Sequence, residues 1–91
     1  MAKFKLELSS KARKFYISCP KGLVQRLDHC FEQLEIDPYY GPNIKRLKTR
    51  PQDFLYRYRI GEYRVIYEVL KKEIIVLIVK IAARGDAYKS I

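Results

Sequence analysis

Length, composition and charge limit what this chain can be. Its 91 residues suit one domain, residues 1–91, and leave little room for a second module. The formal net charge of +9, from 19 Lys and Arg against 10 Asp and Glu, predicts a polyanionic partner, with nucleic acid favoured over a membrane surface. The apolar run Ile74–Val79 is too short to span a bilayer and the N-terminus lacks the apolar stretch of a signal peptide, so we expect a cytoplasmic protein.

The N-terminal half predicts one strand followed by two helices. Apolar and charged residues alternate over Lys3–Leu8, which indicates a strand. Ser9 or Ser10 can cap the next helix, and the proline of the segment SCPKG ends that helix and suits the first turn of another. Apolar residues then recur at helical spacing over residues 23–34, and Asp37–Asn43 forms a loop.

The C-terminal half predicts mainly strands. Phe54–Ile60 and Tyr63–Val69 flank the loop Gly61–Glu62, and glycine in the first position of a two-residue loop favours a type II′ hairpin. A turn near Lys71–Lys72 leads into a further strand, Glu73–Ala82, and the segment NIKRLK before the hairpin is a candidate short extended segment. The predicted order is β-α-α-β-β-β, an α+β fold in which a two-helix hairpin packs on one face of a mainly antiparallel sheet.

The hairpin gathers arginines on one face. Because side chains alternate along a strand, Arg57 and Arg59 share one face, and the other face carries Tyr56, Tyr58 and Ile60. A two-residue loop places Arg59 opposite Arg64, although like charges in that position destabilise a sheet. A solvated basic face is the simplest interpretation, but residues 45–64 hold seven basic residues against two acidic ones. Clustered guanidinium groups can grip a phosphate bidentately, so we favour a phosphate site.

Basic residues around the hairpin and an aromatic residue in the tail extend the candidate site. In the tail KIAARGDAYKS, Arg84 lies four residues after Lys80, on the same side if the strand continues, and Tyr88 follows by four. An aromatic ring beside cations can stack on a nucleobase while the cations hold the backbone, although packing of the terminus is the simpler role. The residues that we predict to bind RNA are Lys45, Arg46, Lys48, Arg50 and Lys80.

Cysteine and histidine residues give no sign of a metal site or a disulfide framework. Cys19 and Cys30 form neither a CxxC motif nor a Cys/His metal spacing, and Cys30 falls in the apolar stripe of a helix, which indicates a buried thiol. His29 is the only histidine, and we place it at the surface. Since no cluster of Asp, Glu and His indicates a metal site, we expect neither a metal nor a cofactor.

The motifs LYRYRIGEYRVIYEV and KIAARGDAYK, preceded by a strand and two helices, resemble the RelE toxins of the RelE/ParE superfamily. The resemblance covers nearly the whole chain, and its specific part runs from Lys45 to Lys89. RelE toxins are messenger-RNA endonucleases that cut in the ribosomal A site and are held inactive by a RelB-type antitoxin. The resemblance therefore implies a single RelE-like toxin domain that acts on messenger RNA at the ribosome and has a RelB-like antitoxin as its protein partner.

The resemblance also implies catalytic roles for individual residues. Arg57 and Arg59 match basic positions near the scissile phosphate, and Arg64 matches an arginine that stabilises the charged transition state. Arg84 matches an arginine proposed as general acid or leaving-group stabiliser, and Tyr88 matches a tyrosine that stacks on the nucleotide. Many relatives carry a histidine just before this last arginine, where this chain has an alanine, so we do not expect an imidazole-dependent mechanism.

The implied reaction is a metal-independent attack of the RNA 2′-OH on the neighbouring phosphorus, which leaves a 2′,3′-cyclic phosphate or its hydrolysis product. It needs in-line alignment, proton transfer and stabilisation of charge on the phosphoryl oxygens. Tyrosine and arginine are weak acid–base groups near neutral pH, so electrostatic preorganisation would dominate, and positioning of the RNA by a ribosome would help. Two alternatives stay open: a ParE-like toxin that acts on DNA gyrase, which the basic residues argue against, and a non-catalytic RNA-binding module.

Overall fold

The computed structural model describes residues 3–47 and 55–89, which form three helices and one five-stranded sheet. The elements are β1 (Lys5–Leu8), α1 (Ser10–Ser18), α2 (Lys21–Ile36), β2 (Ile44–Arg46), β3 (Leu55–Ile60), β4 (Tyr63–Leu70), β5 (Ile75–Ala83) and α3 (Arg84–Ala87). The strand order is β1-β5-β4-β3-β2; β1 and β5 are parallel and the other neighbours are antiparallel. This confirms the predicted α+β fold and the extended segment before the hairpin, and it adds α3.

The two long helices begin where the sequence predicts. Ser9 caps α1, because its hydroxyl accepts a hydrogen bond from the Ala12 N–H at 3.1 Å, and it also donates to the Val79 carbonyl oxygen at 2.7 Å. Pro20 is the N-cap of α2, one position before the first turn in which we expected it. Within the described residues, no helix combines the length and the apolar character needed to cross a membrane.

The core lies between α2 and one face of the sheet. Alternation along β3 and β4 is as predicted, since the tyrosines and valines at every second position point to the helices. Cys30 is fully buried, and this burial raises the pKa of its thiol, whereas His29 is exposed, as expected. The buried core residues of α2, β3 and β4 are Leu23, Leu27, Cys30, Phe31, Leu34, Tyr58, Ile60, Val65, Tyr67 and Val69.

The β3–β4 hairpin has the predicted register and turn. Ile60 lies opposite Tyr63 and Arg59 lies opposite Arg64, so the loop is the pair Gly61–Glu62. Gly61 has a φ of +55°, as the first loop position of a type II′ turn requires. The predicted first residue of the strand, Phe54, lies outside the described residues.

A bulge in β5 changes which side chains share a face. The ladder pairs Ile66 with Lys80 but Tyr67 with Ile78, so Val79 is an extra residue on β5. Ile78 therefore packs in the core, whereas Lys80 lies on the face opposite to the helices, which we call the open face. In a regular strand two residues at this spacing share a face, and the bulge is what separates Ile78 from Lys80.

The open face carries the short helix α3, which the sequence did not predict. We expected the alternation of β5 to continue to Arg84, but the strand ends at Ala83 and the helix begins. The helix packs on β4 and β5. Ile66 and Ala87 are fully buried yet lie outside the main core, which indicates a second, smaller apolar contact beneath α3.

Candidate active site

A groove on the open face brings most of the predicted site residues together. Its volume is about 590 Å³, and β2, β3, β4 and the C-terminal segment supply its walls. The described lining residues, which define the basic groove, are Lys45, Arg46, Leu47, Arg57, Arg64, Arg84 and Tyr88. Five of these seven side chains are cationic and none is acidic, so the groove is suited to a polyanion.

Arg64 is the most buried cation of the basic groove, with 8% of its surface exposed. Its Nη1 donates to the carbonyl oxygens of Gly61 at 2.8 Å and of Tyr63 at 2.9 Å. These carbonyls offset part of the cost of removing a guanidinium from water. Because a guanidinium carries five N–H donors, anchoring through one terminal nitrogen leaves donors for an anion in the groove.

Arg57, half-buried on β3, is anchored in the same way. Its Nη1 donates to the Asn43 carbonyl oxygen at 2.8 Å, and the same oxygen accepts the Arg59 N–H at 3.0 Å. In the part of the chain that the structure describes, neither Arg57 nor Arg64 forms an ion pair with a carboxylate. Carbonyl groups hold these side chains without cancelling their charge, so that charge stays available to a phosphate.

The loop that supplies the Asn43 carbonyl is itself fixed to the sheet and to α2. The Tyr67 hydroxyl donates to the Pro38 carbonyl oxygen at 2.6 Å, and the Asp37 carboxylate accepts the Tyr39 N–H at 2.9 Å. Burial raises the pKa of Tyr67, which keeps this hydroxyl protonated and able to donate at neutral pH. The position of Arg57 therefore depends on contacts made on the opposite face of the sheet.

The tail side of the basic groove consists of α3 and the residue that ends it. Arg84 begins α3, its side chain is exposed, and its N–H donates to the Glu62 carbonyl oxygen at 2.8 Å. Tyr88 is the C-cap of α3 and is 45% exposed at the edge of the groove. A ring with that exposure can stack on a base, which a fully packed ring cannot do.

Lys80 supports α3 and does not line the basic groove. Its Nζ donates to the carbonyl oxygens of Asp86 at 2.7 Å and of Lys89 at 2.8 Å. The Asp86 carbonyl oxygen also accepts the Lys89 N–H at 3.2 Å, and a cation at the C-terminal end of a helix interacts favourably with its dipole. The ammonium that we predicted to bind RNA thus holds the end of α3 against β5.

The structure brings some of the predicted site residues together in the basic groove and places others outside it. Arg57, Arg64, Arg84 and Tyr88 meet in the basic groove together with Lys45 and Arg46. Arg59 is exposed on the hairpin and is not among the lining residues, although it lies opposite Arg64. Lys48 and Arg50 lie outside the described residues.

The sequence did not predict the backbone carbonyl groups that accept hydrogen bonds from Arg57 and Arg64. A carbonyl leaves no signature in the residue type, and only the glycine at position 61 marked the turn as special. Over residues 3–47 and 55–89, no group of three or more His, Cys, Asp and Glu side chains is placed to hold a metal ion.

The fold and the basic groove define a small α+β domain with a site suited to an anion on the open face of its sheet. Known proteins are similar to this chain in sequence and in fold. The family model described as the ParE toxin of type II toxin–antitoxin systems, parDE, matches residues 6–88. A relative from Methanocaldococcus jannaschii, named "Putative toxin RelE1", is 36% identical over 90 residues, which is 97% of this chain and 98% of that protein.

Solved structures of RelE toxins have a similar fold. The archaeal RelE–RelB complex from Pyrococcus horikoshii contains a chain that is 30% identical, with a TM-score of 0.79 over 93% of this chain and 99% of that one. The isolated Escherichia coli RelE toxin has a TM-score of 0.71 at 18% identity, over 88% of this chain and 83% of that one, and so supports the fold alone. This chain belongs to the ParE toxin family of type II toxin–antitoxin systems and is a RelE-type toxin.

Proposed function

We propose that this toxin is an endoribonuclease that cuts messenger RNA on the ribosome, and that the basic groove is its active site. The observation that carries the proposal is the meeting of Arg57, Arg64 and Arg84 in one groove beside Tyr88, with no acidic side chain among the described lining residues. RNA supplies its own nucleophile, the 2′-OH. An enzyme that aligns this group and stabilises the charge of the transition state needs no nucleophile of its own.

The position of each cation suggests its role. Arg64, buried and anchored, supplies a fixed charge to the phosphoryl oxygens in the transition state, where preorganised donors act most strongly. Arg57 binds the same phosphate from the neighbouring strand. Arg84 approaches from the other wall and stabilises the leaving 5′-oxygen, and Tyr88 stacks on a base and orients the nucleotide. This reaction runs without a metal ion because the guanidinium groups supply the stabilising charge.

The remaining cations hold the RNA strand. Lys45 and Arg46 are exposed on β2, at the edge of the basic groove, where they can follow the phosphate backbone. Lys48 and Arg50 extend this run along the sequence, and we retain for them the role of RNA contacts. Arg59 is exposed next to the groove, so its proposed contribution is long-range attraction and not contact with the scissile phosphate.

A ribosome requirement follows from the chemistry available in the groove. The polar side chains among its described lining residues are strong cations and a tyrosine, which are poor proton acceptors near neutral pH. An enzyme that depends on electrostatic stabilisation gains much from a substrate held in line by another body, because alignment alone can supply several kcal/mol (about 7–11 at most). We therefore propose slow cleavage of free RNA and fast cleavage of RNA held in the ribosomal A site.

The proposed protein partner is a RelB-like antitoxin. Similar chains have been solved as RelE–RelB complexes from Pyrococcus horikoshii and Methanococcus jannaschii. A net charge of +9 and a basic groove favour an acidic or amphipathic antitoxin segment that covers the sheet or its flank. Binding of that segment would block cleavage, since it would compete with RNA for the same charges.

A second candidate function is a toxin that acts on DNA gyrase, which the ParE family model favours. One preparation separates the candidates. The purified chain is incubated with ribosomes programmed with a defined message, with the same message free in solution, and with gyrase in a supercoiling assay. We expect A-site cuts ending in a 2′,3′-cyclic phosphate or its hydrolysis product, and no loss of supercoiling. Bound but uncut RNA would indicate a binding module, and lost supercoiling with intact RNA would indicate a gyrase toxin.

A further inference from the structure

The turn of the β3–β4 hairpin holds arginines from both walls of the basic groove. Three successive backbone carbonyls, those of Gly61, Glu62 and Tyr63, accept hydrogen bonds from groove arginines. The first and third bind the Nη1 of Arg64, at 2.8 and 2.9 Å. The second binds the N–H of Arg84 at 2.8 Å, where α3 begins. One short turn therefore sets the position of the Arg64 side chain and of the backbone at Arg84.

The directions of these carbonyls depend on the backbone of Gly61. Its φ of +55° lies in the left-handed region, which residues with a side chain seldom adopt. A Cβ at this position would lie 2.9 Å from Nη2 of Arg26 on α2, but this exposed guanidinium can move aside. The backbone is therefore the stricter limit, because a residue with a side chain at position 61 favours a negative φ and a change of φ tilts the turn. Tilting the turn redirects the carbonyls that hold Arg64 and Arg84.

We infer that Gly61 is a positioning residue for the cleavage reaction, acting through the turn carbonyls on Arg64 and on the start of α3. Its kinetic consequence rests on the proposed endoribonuclease function, whereas its structural consequence does not. Replacement of Gly61 leaves every groove side chain in the chain but shifts the two arginines relative to each other. Misplacement of a catalytic group by about 1 Å can lower a rate by about 100-fold.

Gly22 provides a matched control for the same substitution. It lies in the first turn of α2, away from the basic groove, and an added Cβ would meet no atom within 4 Å. Gly22→Ala therefore changes the same atoms as Gly61→Ala without strain or contact. A third variant, Gly61→Asn, keeps the experiment informative if Gly61→Ala folds poorly, because asparagine tolerates the left-handed region better than alanine.

The first measurement uses the free chain and NMR of the arginine guanidinium groups. A guanidinium held by two carbonyls rotates slowly, so we expect resolved Nη signals for Arg64 in the wild type and in Gly22→Ala. We expect these signals to broaden or disappear in Gly61→Ala, and to change in the same direction but less in Gly61→Asn, in folded chains with intact amide spectra. Unchanged Arg64 signals in a folded Gly61 variant would overturn the inference, whether or not the protein cuts RNA.

The second measurement is single-turnover cleavage on programmed ribosomes. We expect Gly61→Ala to lower the maximal rate by at least about tenfold, with the half-saturating ribosome concentration nearly unchanged, because groove charge is retained. Gly22→Ala should match the wild type. In the Arg64→Ala background, Gly61→Ala should cost much less than it does alone, since the main group that it positions is absent. Equal costs in both backgrounds would overturn the inference. Absence of cleavage by the wild type would refute the proposed function and leave the NMR result to decide the alignment.

Discussion

The two walls of the basic groove are built in different ways. On the hairpin wall, Arg57 and Arg64 lie within long strands, and backbone carbonyls hold both guanidinium groups. On the tail wall, Arg84 and Tyr88 are exposed and belong to, or follow, a helix of four residues. A helix that short has little stability of its own. Its position depends on tertiary contacts, among them the bonds from Lys80 and the burial of Ala87 beneath it.

This difference indicates that the two walls would contribute to the proposed reaction in different ways. The hairpin wall can hold charge at a constant place, as stabilisation of a transition state requires. The tail wall has fewer contacts and more exposure, which favours local adjustment to an RNA strand. We therefore expect substitutions on the hairpin wall to reduce the rate of chemistry most, and substitutions on the tail wall to act more mildly through the position of the RNA.

The largest effect is expected from Arg64→Ala, compared with Arg59→Ala. These arginines lie opposite each other on the hairpin, but only Arg64 lines the basic groove. Removal of one transition-state donor typically costs about 100- to 1,000-fold in rate, so Arg64→Ala should fall in that range and Arg59→Ala well below it. Single-turnover cleavage on programmed ribosomes measures both rates. Equal losses would place Arg59 at the scissile phosphate, and a loss within about twofold would remove Arg64 from the site.

Both hairpin variants should remain folded. Arg59→Ala and Arg64→Ala each remove one of two like charges that face each other across the ladder, which relieves repulsion. Thermal denaturation of each variant provides the control. A large drop in the melting temperature of Arg64→Ala would show that its carbonyl contacts serve mainly stability.

The next effect in size concerns Tyr88 on the tail wall. Stacking on a base is worth about 1–3 kcal/mol, so Tyr88→Ala should lose roughly 5- to 150-fold in rate while Tyr88→Phe keeps most of it. The two variants are compared in the same single-turnover assay after their thermal stabilities have been matched. If phenylalanine fails as badly as alanine, the hydroxyl moves a proton. Full activity of Tyr88→Ala would leave the ring with only a packing role.

A smaller effect is expected from loosening α3 through Lys80→Met. The change removes the bonds from Nζ to the Asp86 and Lys89 carbonyls while keeping much of the aliphatic stem. Cleavage should fall by less than about tenfold, and hydrogen exchange over residues 84–89 should accelerate, because α3 loses its support from β5. Lys89→Met is the charge-matched control, since that ammonium forms an exposed pair with the Asp86 carboxylate at 3.3 Å. Similar results for both variants would mean that only net charge matters.

The smallest functional effect is expected at the other hairpin turn, between β4 and β5. Ile74 has a φ of +56°, nearly that of Gly61, yet it lies outside the basic groove. Left-handed backbone strains a β-branched residue, so Ile74→Gly should raise the free energy of unfolding by up to about 1 kcal/mol and leave cleavage unchanged. Chemical denaturation measures the stability. A loss of stability would show that packing of the Ile74 side chain outweighs the strain.

Features that depend on neighbouring residues in the chain were predictable from the sequence. Glycine at the first position of a two-residue loop defined the turn, and strand alternation then placed Arg57, Arg59 and Arg64 on one face. The serine cap of α1 and the proline before α2 marked the helices for the same reason. These signals are reliable because turn geometry, capping and the two-residue period of a strand are set by local backbone chemistry.

The assembly of the site depends on contacts between segments that are distant in the chain. The bulge at Val79 moved Lys80 to the open face, and the packing of Ala87 on the sheet placed α3 beside the hairpin. Strand alternation places Arg59 and Arg64 on the same face, but folding leaves Arg59 exposed and buries Arg64. The anchors of the groove arginines are carbonyl groups that every residue carries, so their partners are chosen by the path of the folded backbone and not by residue type.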